Sequence, residues 1–274
     1  MVGKVFDRVE SLKAVATKAE LGMIEKIKTI PKEEIIYMSI TELASRLKVA
    51  EATFLRFCRK LDYRGFQDFK LCLSQELGSE DNEPKNSCPP KRIATNMVDA
   101  IMETYKQLDY EDCKRAAEYI YRADRVCVFG VGSSSIAPQM LKNRLVRAGI
   151  AVESTSDTHM QAIISSNLTE KDVMILVSVS GATKDIINLA EIAKKNGTPV
   201  IVVTNYDKSP LVKYATVAFF TCRKEVAHEG GALASVVAQS YVMDILCTTV
   251  FELLGEESRK KAINASMAVS DKSI

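Results

Sequence analysis

The sequence is poor in the residues from which metal sites and disulfide frameworks are built. It contains two histidines, His159 and His228, and its seven cysteines include no C-x-x-C pair. The cysteines stand at positions 58, 72, 88, 113, 127, 222 and 247. An odd number of scattered cysteines is typical of reduced thiols in a cytoplasmic protein. With so few histidines as well, the sequence gives little support to a metal site. We expect a cytoplasmic protein without a metal or another cofactor.

A large excess of one charge is also absent. Lysine and arginine number 37 and aspartate and glutamate 35, which leaves a net charge of +2. Any basic surface that binds nucleic acid must therefore be local. No apolar run is long enough for a membrane span, and the first residues lack the apolar core of a signal peptide. The 274 residues, 47% of them hydrophobic, predict a globular protein that does not cross a membrane and has more than one domain.

A polar stretch divides the chain. Residues 78–92, "GSEDNEPKNSCPPKR", are rich in charge and proline and have no apolar periodicity. Such a stretch cannot bury enough apolar surface to offset the entropy lost on ordering, so we interpret it as a linker. The prediction is a helical domain over residues 1–77 and a second domain over residues 93–274.

The first domain carries the pattern of two helices joined by a short turn. "TKAE" (17–20) and "SITE" (39–42) both fit a capping box, which begins a helix. The segment from about Glu51 to Leu61 is apolar on one side, through Phe54, Phe57, Cys58 and Leu61, and basic on the other. This is the pattern of a helix-turn-helix, whose second helix enters the major groove of DNA. The alternative is a helical hairpin whose basic side is only solvated.

Residues 38–77 closely resemble the helix-turn-helix domain of the RpiR family of bacterial transcription regulators. The "EAT" opening, the "RFCRKL" centre and the "GFQDFK" close carry the resemblance. It implies binding of operator DNA, and we predict contacts from Thr53, Arg56, Arg59 and Lys60. Two residues depart from the family pattern. Ala50 replaces a serine that would cap the second helix, and Asp62 replaces a glycine. We expect the first change to weaken DNA binding and the second to alter the loop.

The second domain alternates apolar strands with helices. Five segments are strand candidates: 125–132, 151–155, 173–180, 199–205 and 216–221. Helical segments lie between them and over about 230–254. Continuously apolar strands alternating with helices predict a parallel sheet flanked by helices, an α/β fold.

Two loops after these strands have the composition of a phosphate site. "GVGSSS" (130–135) and "SVSGAT" (178–183) combine glycines, which admit close backbone approach, with hydroxyls that donate to phosphate oxygens. In a parallel sheet, ligands bind beyond the carboxyl ends of the strands. Each loop alone also fits an ordinary helix N-cap. The first loop weakly resembles a dinucleotide fingerprint. It lacks the third glycine, however, and no acidic residue cleanly ends the second strand, although Glu153 lies nearby.

Together the two loops resemble the sugar isomerase (SIS) phosphosugar-binding domain, over roughly residues 110–255. The resemblance implies phosphate contacts from four hydroxyl side chains, with close backbone approach at two glycines. These residues are Ser134, Ser178, Ser180 and Thr183, with Gly132 and Gly181. Ser133, His159 and Glu229 are predicted sugar contacts. For His159 the alternative is a solvated residue at a helix start, and for Glu229 it is a helix cap.

Some SIS domains are isomerases or etherases, so catalysis is the alternative to sensing. His159, His228 and Glu229 are the candidate acid or base residues for such chemistry. A phosphosugar site joined to a DNA-reading domain is most simply an effector switch, as in the RpiR regulators. We predict a regulator of a sugar or amino-sugar catabolism operon that is not an enzyme. Since SIS domains generally pair, we expect a homodimer or a dimer of dimers on a pseudo-palindromic operator.

Overall fold

The computed structural model describes residues 5–36, 38–80, 89–222, 233–268 and 270. The chain forms two compact units that divide between Ala94 and Thr95. The first unit is helical, and the second is built on a five-stranded sheet. This agrees with the predicted fold class.

The first unit consists of helices around one hydrophobic core that includes a cluster of aromatic rings. The helices are α1 (Val5–Ser11), α2 (Lys18–Lys28), α3 (Lys32–Ile35), α4 (Ile40–Leu47), α5 (Glu51–Lys60) and α6 (Phe66–Glu80). Both predicted capping boxes are present, with Thr17 and Glu20 at α2 and with Ser39 and Glu42 at α4. The predicted apolar side of α5 is buried, and the Phe54 ring lies 5.8 Å from Phe66 and 6.0 Å from Phe69.

Helices enter the predicted linker from both sides. Helix α6 continues to Glu80, and helix α7 (Pro89–Gln107) begins at the two prolines. The prolines start this helix because the first helical turn needs no amide donor and favours the φ angle that the proline ring imposes. Helices therefore occupy residues 78–80 and 89–92 of the predicted linker, and residues 81–88 lie outside the described part.

The second unit is a parallel sheet with strand order β2-β1-β3-β4-β5. Its strands are β1 (Val126–Gly130), β2 (Val152–Glu153), β3 (Val173–Val177), β4 (Val200–Thr204) and β5 (Val217–Phe220). All five fall within predicted segments. The remaining helices are α8 (Tyr110–Arg122), α9 (Ile136–Arg147), α10 (Thr158–Ser166), α11 (Lys184–Asn196), α12 (Leu233–Leu254) and α13 (Glu256–Met267).

Helices cover both faces of the sheet. Alternate strand residues such as Val128 and Ile175 pack with α8, α9 and α12 on one face. Their neighbours Phe129 and Leu176 pack with α11 on the other. Both faces are buried, which explains why the strands are apolar throughout rather than alternating.

Helix α12 is the one described helix that is long and apolar enough to span a membrane. The expectation that no apolar run reaches that length was wrong for this segment. More than half of its apolar window is buried inside the protein. Its buried residues Val242, Leu246 and Val250 belong to the core that also contains α8 and α9. Helix α12 is therefore apolar because it is a core helix of the α/β unit.

Candidate functional site

The order of the strands determines where the two hydroxyl-rich loops meet. Strands β1 and β3 are neighbours, and Gly130 at the end of β1 pairs with Val177 at the end of β3. From β1 the chain continues to β2 on one side, whereas β3 leads to β4 on the other. In parallel sheets, ligands usually bind at such a reversal, beyond the carboxyl ends of the strands. Residues 131–135 and 178–183 lead away from the two strands at this point.

The second loop (178–183) gathers its hydroxyls above β3. Ser178 Oγ and Thr183 Oγ1 lie 3.2 Å apart, and the Ala182 amide donates to Ser180 Oγ at 3.2 Å. Ser178 is buried, whereas Ser180 and Thr183 are partly exposed. The structure thus brings three of the four predicted phosphate-binding side chains into one loop, on which an anion can collect several donors.

Gly181 occupies a position that only glycine fits. Its φ is +57°, in the left-handed region. A Cβ atom there would lie 2.2 Å from Ser209 Oγ and 2.9 Å from Thr204 Oγ1. The end of β4 and the segment after it therefore pack directly against this loop. The Leu211 amide also donates to the Gly181 carbonyl at 3.1 Å.

The hydroxyls next to the helix starts are not used as N-caps. Thr183 precedes α11 and Ser135 precedes α9, yet neither side chain makes a capping hydrogen bond. At α9 the Ile136 amide already donates to the Ser133 carbonyl in the preceding 3₁₀ turn. At α11 the first amides have no such cap and remain available to an anion, which the helix dipole also attracts. The N-cap alternative therefore does not account for these hydroxyls.

The first loop (130–135) folds back over the end of β1. A Cβ atom at Gly130 would lie 2.1 Å from the Ser134 carbonyl oxygen, and Gly132 has a φ of +62°. The Ser134 side chain is buried, whereas Ser133 is exposed. Strand β2 ends at Glu153, so an acidic residue does end the second strand. We had expected that no acidic residue would end this strand cleanly, as a dinucleotide fingerprint requires.

Two fully buried glutamines hold this first loop, and sequence reasoning missed both. Gln161 of α10 donates through Nε2 to the Gly130 carbonyl at 3.1 Å and to the Thr155 carbonyl at 2.8 Å. Gln239 of α12 donates through Nε2 to Ser134 Oγ at 3.4 Å. Both are 0% exposed. For Gln239 the only signal in the sequence was a glutamine inside a largely apolar helical segment. Gln161 carried no such signal, because α10 has other polar residues, such as His159 and Ser165.

A groove adjoins the first loop between α9 and the residues after β2. Its volume is about 530 Å³, and its lining includes Gln139, Asn143 and Thr155.

His159 lies in the first turn of α10, with an exposed side chain. Within the described residues, no hydrogen bond or ion pair fixes its imidazole. Glu229 and His228 lie outside the described residues. In the part of the chain that the structure describes, no group of three acidic, histidine or cysteine side chains could hold a metal ion.

The first unit presents a different surface, along α5. Ala52, Arg56, Arg59 and Lys60 are exposed, and Thr53 is partly exposed. Arg56 Nη2 lies 3.5 Å from Thr53 Oγ1. For Arg59, as for the exposed Lys48 in the turn before α5, the described residues provide no ion-pair or hydrogen-bond partner for the side chain. Lys48 was not among the predicted DNA contacts.

Lys60 is already paired within the unit. Its ammonium donates to both carboxylate oxygens of Glu20, at 3.0 and 2.9 Å. The Thr17 amide, and then Lys60, lower the pKa of Glu20 from 4.5 to about 2. Lys60 would have to leave or share this carboxylate in order to bind a DNA phosphate.

The two departures from the family pattern have clear local geometry. Ala50 stands at the N-cap of α5 with φ −72° and ψ 147°, and its side chain offers no capping group. Asp62 has φ +67°, so it adopts the left-handed conformation that glycine adopts without strain. The Tyr63 amide donates to the Cys58 carbonyl at 3.0 Å, which closes the helix end. Aspartate tolerates the left-handed region, and a change of this loop relative to the family stays a prediction.

Comparison with known proteins agrees with both units. Residues 3–80 match the helix-turn-helix domain of the rpiR family, and residues 119–249 match the SIS domain. The chain is 30% identical, over 97% of its length and 98% of the relative's, to an HTH-type transcriptional regulator of Clostridium perfringens. It is also 30% identical to the regulator HexR of Escherichia coli, over 90% of this chain and 86% of HexR.

One solved structure matches almost the whole chain. The NanR protein of Vibrio vulnificus, complexed with ManNAc-6P, has a TM-score of 0.86 and 29% identity, and the match covers 98% of this chain and 99% of NanR. Sequence motifs, fold and full-length relatives all agree, so this chain belongs to the RpiR family of helix-turn-helix transcriptional regulators with a SIS domain.

Proposed function

We propose that the protein is a transcription regulator that binds operator DNA through α5 and senses a sugar phosphate at the carboxyl edge of its sheet. One observation carries the proposal. A single chain joins a helix-turn-helix to a parallel sheet in which the paired strands β1 and β3 each lead into a hydroxyl-rich loop at the carboxyl edge. The second loop precedes a helix whose N-cap side chain makes no capping hydrogen bond.

In this proposal the phosphate of the effector binds the second loop and the start of α11. Ser178, Ser180 and Thr183 donate hydrogen bonds to its oxygens, and Ser134 donates from the first loop. The N-terminus of α11 adds the attraction of its dipole for a negative charge. Gly132 and Gly181 let the backbone approach the phosphate.

The sugar would extend from the phosphate towards the groove beside the first loop. The groove offers amide and hydroxyl groups from Gln139, Asn143 and Thr155, which suit sugar hydroxyls. Ser133 and His159 are the further sugar contacts that we propose at this rim, and Glu229 remains a proposal from sequence alone. ManNAc-6P is the first effector to test, because it is the ligand in the NanR structure.

The DNA-binding surface would consist of Thr53, Arg56, Arg59 and Lys60. Two recognition helices are needed to read a pseudo-palindromic operator, so we propose a homodimer or a dimer of dimers in the cytoplasm. The effector must bind one arrangement of the protein more tightly than another in order to change its DNA affinity, and a coupling of about 1–3 kcal/mol is typical. We propose that no cofactor takes part and that the effector is not turned over.

Fluorescence polarisation with DNA from upstream of the protein's own gene tests the proposal. Binding should weaken steeply as salt increases, because basic side chains release counterions from DNA. One sugar phosphate of a panel that includes ManNAc-6P should shift the curve. If no DNA binds at any salt concentration, the proposal is wrong. Turnover of a sugar phosphate that Glu229→Gln abolishes would instead support the isomerase or etherase alternative.

A further inference from the structure

The buried amide of Gln239 is unexpected where it stands. Helix α12 is apolar over most of its length, and Gln239 is 0% exposed within it. A buried primary amide is costly unless it forms hydrogen bonds. Its Nε2 donates to Ser134 Oγ at 3.4 Å, and its Oε1 has no hydrogen-bond partner among the described residues. Within the described part, Ser134 is therefore the group that orients this amide.

The direction of that hydrogen bond determines what Ser134 can do. A serine hydroxyl has one hydrogen to donate and two lone pairs. Because the Gln239 amide donates to the oxygen, the hydroxyl hydrogen of Ser134 stays available for another acceptor. A phosphate oxygen is a strong acceptor and needs donors around it. An acceptor in place of the amide would draw that hydrogen away from the ligand.

We propose that Gln239 is a positioning residue of the effector site. Its amide holds Ser134 with the hydroxyl hydrogen directed to the bound phosphate. The inference rests on the proposed function, since it requires a phosphate at the carboxyl edge of the sheet. Gln239 lies on α12, outside both glycine-containing loops. Its role would therefore link effector binding to the long core helix.

The test is the affinity of the full-length protein for ManNAc-6P, measured by calorimetry, with inorganic phosphate as a competing probe. Gln239→Met keeps the length of the side chain and removes the donor. We expect it to weaken binding about three- to tenfold, the scale of one neutral hydrogen bond such as that between Gln239 and Ser134. Thr249→Val, a buried substitution further along α12, is the matched control and should leave the affinity unchanged. Gln239→Leu serves if Gln239→Met does not fold.

A double-mutant cycle separates positioning from a general loss of packing. Ser134→Ala should weaken binding by itself, and Gln239→Met should then add no further loss, because the amide acts through the hydroxyl. The phosphorus NMR resonance of the bound ligand should move in the same direction in both single variants and stay in place in Thr249→Val.

The outcomes are distinct. Additive losses, or an unchanged or tighter affinity in Gln239→Met, overturn the inference and leave the proposed function intact. Tighter binding would mean that the amide is reversed and that its oxygen takes the hydrogen of Ser134. If the wild type binds neither ManNAc-6P nor inorganic phosphate nor any sugar phosphate of the panel, the proposed function fails and this inference fails with it.

Discussion

Replacing Gly181 by alanine should damage the second loop more than the same change damages the first. At Gly181 the new methyl group would lie 2.2 Å from Ser209 Oγ and 2.5 Å from Ser209 Cβ. Ser209 is 2% exposed and has little room to move aside. At Gly132 nothing lies within 4 Å of the new methyl group. Both glycines have positive φ, so Gly132→Ala is a matched control for backbone strain.

The magnitude follows from these two contributions. A left-handed conformation costs an alanine about 1–2 kcal/mol, which both variants should lose. Overlap with a well-packed neighbour costs about 1–3 kcal/mol more, and this applies to Gly181→Ala alone. We therefore expect the free energy of unfolding of the α/β unit to fall by about 2–5 kcal/mol in Gly181→Ala and by about 1–2 kcal/mol in Gly132→Ala.

Differential scanning calorimetry without ligand measures the comparison. For a unit of this size, a loss of 1 kcal/mol lowers Tm by about 2–4 °C, so the two variants should differ by about 2–12 °C. Titration with ManNAc-6P should also show at least a tenfold weaker affinity in Gly181→Ala, since the loop that holds Ser178 and Thr183 must move. Equal losses of Tm, or a larger loss in Gly132→Ala, would refute the steric argument.

Three further predictions concern the helix-turn-helix unit. Ala50→Ser should cap α5, raise the free energy of unfolding by about 1 kcal/mol in urea titrations and tighten DNA binding, and Ala50→Gly should gain about a few tenths of a kcal/mol less. No gain in Ala50→Ser would contradict the capping argument. Because the folded-state pKa of Glu20 is lowered to about 2, its stabilising contribution is complete above its ordinary pKa of 4.5 and is lost as the pH falls towards 2. In urea titrations at several pH values, the free energy of unfolding should fall less on acidification in Glu20→Gln than in the wild type. A pH profile unchanged by the substitution would count against the Glu20–Lys60 pair. Arg59→Ala should weaken DNA binding more than Lys60→Ala and should reduce the slope of the salt dependence by about 1. The reason is that the Arg59 side chain has no partner in the described part, whereas Lys60 is held by Glu20. The reverse order in polarisation assays would show that Lys60 leaves its carboxylate on binding DNA.

Local patterns were sufficient to predict most of the fold. Capping boxes act over three residues, so Ser39 and Glu42 could be recognised from sequence. The strands were found because burial on both faces requires continuous apolar runs, as in β3. The start of α7 was missed because Pro89 and Pro90 resemble linker residues and the same prolines also fit a first helical turn.

The loops of the candidate site were predicted from the sequence, but the residues that hold these loops in place were not. Glycine and serine at strand ends carry a local signal, so Ser178 and Gly181 could be named from sequence. Gln161 and Gln239 are distant in sequence from the loop that they hold, and only the packing of α10 and α12 brings them there. The Lys60–Glu20 pair was missed for the same reason, because it joins helices that are far apart along the chain.

The most direct test of the central claim is the response of operator binding to the effector in wild type and in Ser180→Ala with Thr183→Ala. Polarisation titrations with labelled DNA, with and without ManNAc-6P and the other sugar phosphates, measure it. We predict that one sugar phosphate changes the DNA affinity of the wild type, whereas the double variant binds DNA normally and no longer responds. A double variant that responds like the wild type would contradict the placement of the effector at these loops.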